Sequence, residues 1–221
     1  MMKKMSNSDE PEAYAIGSIP FIHTQIYLDS HPLIPRTETE YWVNEVIKEI
    51  NDKNILHPRI LDLCAGSGCI GIAIMKELED ATVDFVEIEE KHHDTIRKNI
   101  LENKLDNSKA RIFGGSLFEK ISDKYDFILS NPPYINPALK YRVEESVIDH
   151  EPEQALFGGK DGLEIIKEIL SKAEFYLKPD GSLYIEHEPE QAEIISESPM
   201  YLNSFKDQFG VTRFSQFRKG R

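Results

Sequence analysis

Asp126-Phe127-Ile128-Leu129-Ser130-Asn131-Pro132-Pro133-Tyr134-Ile135 is an apolar run that stops at two consecutive prolines. The residues from Phe127 have the apolar, partly β-branched character of a buried strand. Proline has no N–H to give to a ladder, so the strand ends where the prolines begin. The Asn-Pro-Pro-Tyr turn therefore sits at a strand's C-terminal edge, which is where ligands bind in an open α/β sheet. Two prolines make that loop rigid before any ligand arrives. Asn131 offers a side-chain carbonyl, Pro132 a backbone carbonyl and Tyr134 an aromatic face. Two acceptors and a ring suit a planar NH2 group; the same residues also suit a plain strand-ending turn capped by Asn131.

Working outward, Ile60-Leu61-Asp62-Leu63-Cys64-Ala65-Gly66-Ser67-Gly68-Cys69-Ile70-Gly71 reads as strand, glycine turn and helix. Gly66 and Gly68 let the backbone come close to a ligand, and the helix after them presents free N–H groups. This pattern fits nucleotides, dinucleotides or S-adenosylmethionine. No Lys-Ser/Thr ending follows, which excludes a P-loop, and no phosphate-binding third glycine is expected in dinucleotide register, so the reading favours a ligand without a phosphate. Ala81 to Ile88 is a second strand with an acidic residue at its end. Glu87 falls about twenty residues beyond the glycines, where a carboxylate can accept hydrogen bonds from both ribose hydroxyls. His92 and His93 follow in a polar helix from Glu89 to Leu105 and read as surface residues rather than ligands; no metal site is expected.

Arg111 to Phe113 is a third strand, ending at Gly114-Gly115-Ser116-Leu117-Phe118, and the proline turn closes the fourth. Glu151 to Leu163 reads as a long loop with Gly158, Gly159 and Gly162. It delivers the chain at Asp161 into a helix with Leu163, Ile166, Ile169, Leu170, Ala173 and Leu177 on one face. Gly181 to Glu186 is a fifth strand, and the aromatic pieces from Phe205 to Phe217 suggest a closing hairpin around Gly210. Strands alternating with helices predict an α/β fold, a doubly wound and mainly parallel sheet with helices on both faces. Upstream, Thr37 with Glu40 predicts a capping box opening a helix with Val43, Val46, Ile47 and Ile50 inward. Arg36 and Glu38 could belong to a site or to a solvated cap. Phe21-Ile22 and Gln25 to Leu28 predict a small hairpin in an arm spanning 14–36, and residues 1–11 read as a loose tail. The hexapeptide HEPEQA occurs at His150 to Ala155 and at His187 to Ala192, in unlike flanks, and is no structural repeat.

The 221 residues fit one domain, here 12–221, large enough to bury a core. The formal net charge of −13 disfavours a broad phosphate-binding surface and direct nucleic-acid binding. A basic protein or a small substrate fits the sign better. Cys64 and Cys69 are the only cysteines and read as reduced thiols. No apolar run has the length of a membrane span and Met1 to Glu10 lacks the apolar core of a signal peptide, so a cytoplasmic location is expected.

In this order the pieces resemble the class I S-adenosylmethionine-dependent methyltransferases, and within them the HemK/PrmC-type peptide chain release factor glutamine methyltransferases. The resemblance rests on Leu33-Ile34-Pro35-Arg36-Thr37-Glu38-Thr39-Glu40, Asp62 to Ile70, Ser130 to Ile135, and Glu151-Pro152 through Leu163. The proline turn alone is shared with adenine-N6 DNA and guanine-N2 RNA methyltransferases; the first and last stretches look specific to the glutamine enzymes. The resemblance implies a Rossmann-like, seven-stranded sheet and S-adenosylmethionine as cofactor. Asp62, Cys64, Ala65, Gly66, Ser67 and Gly68 would wrap it, with Glu87 on its ribose, Leu117 by its adenine and Asn131 at its methyl end. Asn131, Pro132, Pro133 and Tyr134 would hold the substrate amide, with Asn131, Pro132 and Tyr134 catalytic. Glu87 and Ser116 stand where the family has Asp, and Thr37 where it has a second proline. The match begins at the exit of the helical front domain that family members use to grip the release factor, which leaves room for an accessory partner in its place. The implied reaction is methylation of the glutamine in the Gly-Gly-Gln loop of a release factor. Two alternatives stay open: a ribosomal-protein glutamine or a nucleic-acid exocyclic amine as substrate, and a cofactor-binding module that acts through a partner without turnover.

Overall fold

A strand buried on both faces divides its side chains between two cores, because successive residues point to opposite sides. In this computed structural model, which describes residues 10–220, the division is clear in the central strands. Ile60, Val83, Phe85, Phe127 and Leu129 join one apolar cluster, while Leu61, Leu63, Val86, Ile128 and Leu183 join the other.

The chain opens with α1 (Glu12–Ile16), the antiparallel hairpin β1 (Ser18–Phe21) and β2 (Thr24–Tyr27), and α2 (Thr37–Asp52). There follow β3 (Arg59–Leu63), α3 (Cys69–Glu77), β4 (Thr82–Glu87), α4 (Glu90–Glu102), β5 (Ala110–Gly114) and β6 (Tyr125–Ser130). The second half holds α5 (Glu145–His150), α6 (Glu153–Leu156), α7 (Glu164–Tyr176), β7 (Leu177–Glu186), α8 (Ala192–Ile195), β8 (Tyr201–Lys206) and β9 (Thr212–Arg218). Seven strands form one sheet in the order β5-β4-β3-β6-β7-β9-β8. β9 runs antiparallel to both neighbours, and the rest pair in parallel. The expected doubly wound, mainly parallel seven-stranded sheet is the observed one. Helices α2, α3 and α4 cover one face through Val43, Ile47, Ile72 and Ile96, and α7 covers the other through Ile166, Ile169 and Ala173. Among the described residues no helix is long and apolar enough to cross a membrane. The expected tail lies outside the described residues except for Glu10 and Pro11.

Several local expectations are corrected. Thr37 and Glu40 make no capping box: Thr37 is already helical, Arg36 takes the cap position without a side-chain bond, and Glu40 Oε1 accepts from the Ile22 backbone N–H at 2.5 Å. Glu40 is committed to holding the hairpin instead. The stretch from Glu151 to Leu163 is broken by α6, and a 3-10 turn at Pro137–Arg142 and α5 precede it.

Gly71 completes a Gly-x-Gly-x-x-Gly spacing with Gly66 and Gly68, which corrects the expectation that no third glycine stands in dinucleotide register. The third glycine of such a spacing lets helix and strand approach closely. A Cβ at Gly71 would stand 2.2 Å from the Phe85 ring and 2.9 Å from Val83, both on β4. We expect Gly71→Ala to lower the unfolding free energy by about 1–3 kcal/mol through overpacking, measured by urea denaturation, with Phe85→Leu in the same chain recovering part of the loss.

Candidate active site

Strand register assembles the site. Leu63 lies beside Val86 and Ser130, and Ser130 lies beside Ile185. One residue further on, Cys64, Glu87, Asn131 and Glu186 come off the C-terminal ends of four adjacent strands. β3 pairs with β4 on one side and β6 on the other, so the row spans the point where the winding reverses, the usual ligand crevice of an open α/β sheet.

Two cavities open along this edge, and Asn131 lines both. The first, of about 240 Å³, is walled by Cys64, Gly66, Glu87, Leu117 and Pro133. The second, of about 250 Å³, is walled by Arg36, Pro132, Tyr134, Ile135 and Glu188. Asp62, Ala65, Ser67 and Gly68 are buried behind the glycine turn rather than on the cavity wall. There Ala65 N–H donates to Val86 O at 3.0 Å and Asn99 Nδ2 to Ser67 O at 2.9 Å.

The proline turn is held from three sides. Asn131 Nδ2 donates to Thr39 Oγ1 at 3.2 Å, and Thr39 in turn donates to Glu186 Oε2 at 2.7 Å. Trp42 Nε1 donates to the same oxygen at 2.7 Å, and the Tyr134 hydroxyl donates to Glu186 Oε1 at 2.9 Å. From behind, Gln191 Nε2 donates to Tyr134 O at 2.8 Å. Gly162 packs there at φ +77°, and a Cβ on it would stand 2.3 Å from the same carbonyl. Among the described residues no protein donor engages the Pro132 carbonyl or Asn131 Oδ1.

The methyltransferase small domain family matches residues 44–160. A release factor glutamine methyltransferase of Streptococcus pneumoniae is 34% identical over 92% of this chain and 73% of its own length. One from Francisella tularensis is 37% identical over 85% of this chain, which spans 65% of that relative. The chain belongs to the release factor glutamine methyltransferase family. A solved T. thermophilus 16S rRNA N2 methyltransferase, in complex with AdoMet and guanosine, superposes with a TM-score of 0.64 over 91% of this chain and 49% of its own. At 15% identity that likeness concerns the class I methyltransferase fold alone.

The first cavity of this family member fits S-adenosylmethionine by its donor and acceptor chemistry. Glu87 is buried, and its oxygens accept from Gly66 N–H at 2.7 Å and Glu89 N–H at 2.8 Å. Each oxygen keeps a lone pair for a hydroxyl. Burial raises its pKa, and the two amides oppose that rise. Beneath the turn, Asp62 Oδ2 accepts from Gly71 N–H at 2.9 Å while Oδ1 has no partner among the described residues. Leu117 and Val86 supply an apolar wall. Cys64 and Leu117, both on that wall, hold φ of +61° and +46°. Burial pushes the Cys64 thiol up to about 12 and the Cys69 thiol upward too, so both stay protonated.

His92 departs from expectation. It is buried, bonded through Nδ1 to Ser30 Oγ at 2.7 Å, and it lines the first cavity. Burial pushes its pKa down to about 4, so it is neutral at pH 7. Arg36 is more than a solvated cap: its Nη2 bonds buried Glu151 Oε1 at 2.5 Å, and Glu151 Oε2 accepts from Ile34 N–H at 3.1 Å. Among the described residues, the Glu38 side chain accepts from its neighbour Thr37 Oγ1 at 3.2 Å. Sequence reasoning missed Thr39, Trp42, Glu186 and Gln191. The available signal was Glu186 directly following the buried run Leu183-Tyr184-Ile185 at the end of β7.

Burial raises the Asp62 pKa to about 7, and Glu87 adds to the rise. A carboxyl raised in the folded state stabilises it below the unfolded value near 3.8 and loses that contribution as pH climbs through 7. Asn mimics the protonated acid. Asp62→Asn should therefore come closest to the wild type in urea denaturation below pH 4, exceed it modestly at pH 5 and exceed it most at pH 8.

Proposed function

We propose that this chain transfers a methyl group from S-adenosylmethionine to the side-chain amide nitrogen of the glutamine in the Gly-Gly-Gln loop of a peptide chain release factor. The observation that carries the reading is the position of Asn131 between two cavities, one with the chemistry of a nucleoside site and one walled by the rest of the proline turn. The names of the relatives supply the release factor.

Glu87 takes the ribose hydroxyls, Leu117 the adenine, and Cys64 to Gly68 with Asp62 the methionine end. Bound there, S-adenosylmethionine supplies an electrophilic methyl on a sulfonium. An amide nitrogen is a poor nucleophile because its lone pair is shared with the carbonyl, so the protein must compensate. Asn131 Oδ1 and the Pro132 carbonyl accept the two amide hydrogens, orient the nitrogen and favour the positive charge that develops on it. Pro133 stiffens the turn, and Tyr134 stacks on the amide plane. Its phenol stays protonated: burial and Glu186 hold its pKa well above the ordinary value. No general base is needed, because the nitrogen becomes acidic once methylated and releases its proton to solvent. The excess of acidic residues disfavours a nucleic-acid substrate.

Labelled methyl from S-adenosylmethionine should pass to a purified release factor and not to the same factor with its loop Gln replaced by Ala. Label on both, or on neither, overturns the reading. Asn131→Ala should abolish transfer while S-adenosylhomocysteine binding, followed by calorimetry, stays within about threefold of wild type, less than one hydrogen bond's worth.

A further inference from the structure

The Asn131 side-chain amide has two orientations of nearly equal shape, with its carbonyl or its NH2 facing the second cavity, and only the first accepts a hydrogen from a substrate amide. What selects between them lies behind the turn. Glu186 is 1% exposed, and its carboxylate accepts from Thr39, Trp42 and Tyr134. Trp42 can only donate, so the oxygen it shares with Thr39 acts as acceptor. With its single proton given to Glu186, the Thr39 hydroxyl has only lone pairs to offer Asn131. The group it can receive at 3.2 Å is Nδ2. Asn131 Oδ1 is then turned away from Thr39.

We propose that Glu186 and Thr39 are positioning residues that fix the polarity of Asn131, and through it the choice of a glutamine amide over a glutamate carboxylate. The inference rests on the glutamine-methyltransferase reading and deepens it. An inward Oδ1 accepts from an amide NH2 and repels a carboxylate oxygen. An inward NH2 does the reverse. The buried carboxylate acts at one remove: it sets a proton on Thr39, which sets the flip of an amide that meets the substrate. Trp42 and Tyr134 keep Glu186 in place, and Arg213 nearby favours its charged form.

Thr39→Val removes the hydroxyl at nearly constant shape and frees Asn131 to flip; Thr39→Ser keeps the hydroxyl. Two readouts separate polarity from simple loosening. The first is kcat on a purified release factor, expected to fall on the order of a hundredfold in Thr39→Val, as for a misoriented catalytic contact, and to recover in Thr39→Ser. The second is affinity, by calorimetry with S-adenosylhomocysteine present, for the factor with its loop Gln and with that Gln changed to Glu. The wild type should prefer Gln, and Thr39→Val should narrow that preference by about tenfold, the worth of one buried hydrogen bond. Thr39→Ala repeats the comparison with a smaller side chain, and unchanged S-adenosylhomocysteine affinity reports that each variant is folded. A preference that survives while both affinities drop together makes Thr39 merely structural and overturns the inference, as does full kcat in Thr39→Val. Failure of the wild type to label the factor overturns the functional reading itself and with it the substrate on which the inference rests.

Discussion

A carboxylate taken out of water costs several kcal/mol unless its lone pairs are met by donors, and in this fold the arrangement of the sheet's C-terminal edge around the proline turn follows from meeting those of Glu186. Its donors come from far along the chain: Thr39 and Trp42 lie on the first two turns of α2, and Tyr134 lies in the proline turn. One buried charge thus ties α2, the turn after β6 and the end of β7 into one unit. Removing any donor leaves the charge less satisfied while the others stay fixed, so the three pieces hold position together. Burial does raise the Glu186 pKa, and the three donors work against that rise. A second buried carboxylate, Glu151, does the same one layer out by joining Arg36 and the Ile34 amide to the segment before α6.

The two HEPEQA hexapeptides acquire a common logic from this. They are no structural repeat, yet both flank the second cavity. In the first, Glu151 anchors the approach to α2, and Ala155 lines both cavities. In the second, His187 is bonded through Nε2 to Ser215 Oγ at 2.8 Å, Glu188 lines the second cavity and Gln191 braces Tyr134. The same letters serve different contacts because each residue's partner is set by where the sheet delivers it.

That distinction also explains how much was legible. The proline turn, the glycine turn and the sheet could be read because each is a local signal: a proline ends a ladder, alternating apolar residues mark a buried strand, and glycine admits a close approach. Thr39 and Glu186 could not be paired by reading, since they stand 147 residues apart and neither belongs to a spacing with its own chemistry. The capping box at Thr37 and Glu40 failed for the same reason, because a tertiary partner, the Ile22 amide, claimed the glutamate. His92 was read as exposed from the polarity of its helix, but Ser30 and the arm cover that position. The short helices between Ile135 and Leu163 have too few turns for a period to emerge.

The strained positions argue for a cavity shaped in advance of its ligand. Cys64 and Leu117 both adopt positive φ without being glycine, at a cost of order 1–3 kcal/mol each. Such backbone persists only where the surroundings over-determine it. At Cys64 they do, since the residue follows a strand paired on both sides and precedes a turn closed by Gly68 N–H on Ala65 O at 2.7 Å. Leu117 is buried in the apolar cluster of Phe118 and Ile121. The strain therefore sits on the wall of the first cavity, while the second is fixed by prolines and a hydrogen-bonded carboxylate. Asn131, between them, inherits its place from the strand behind it and its orientation from the network beside it.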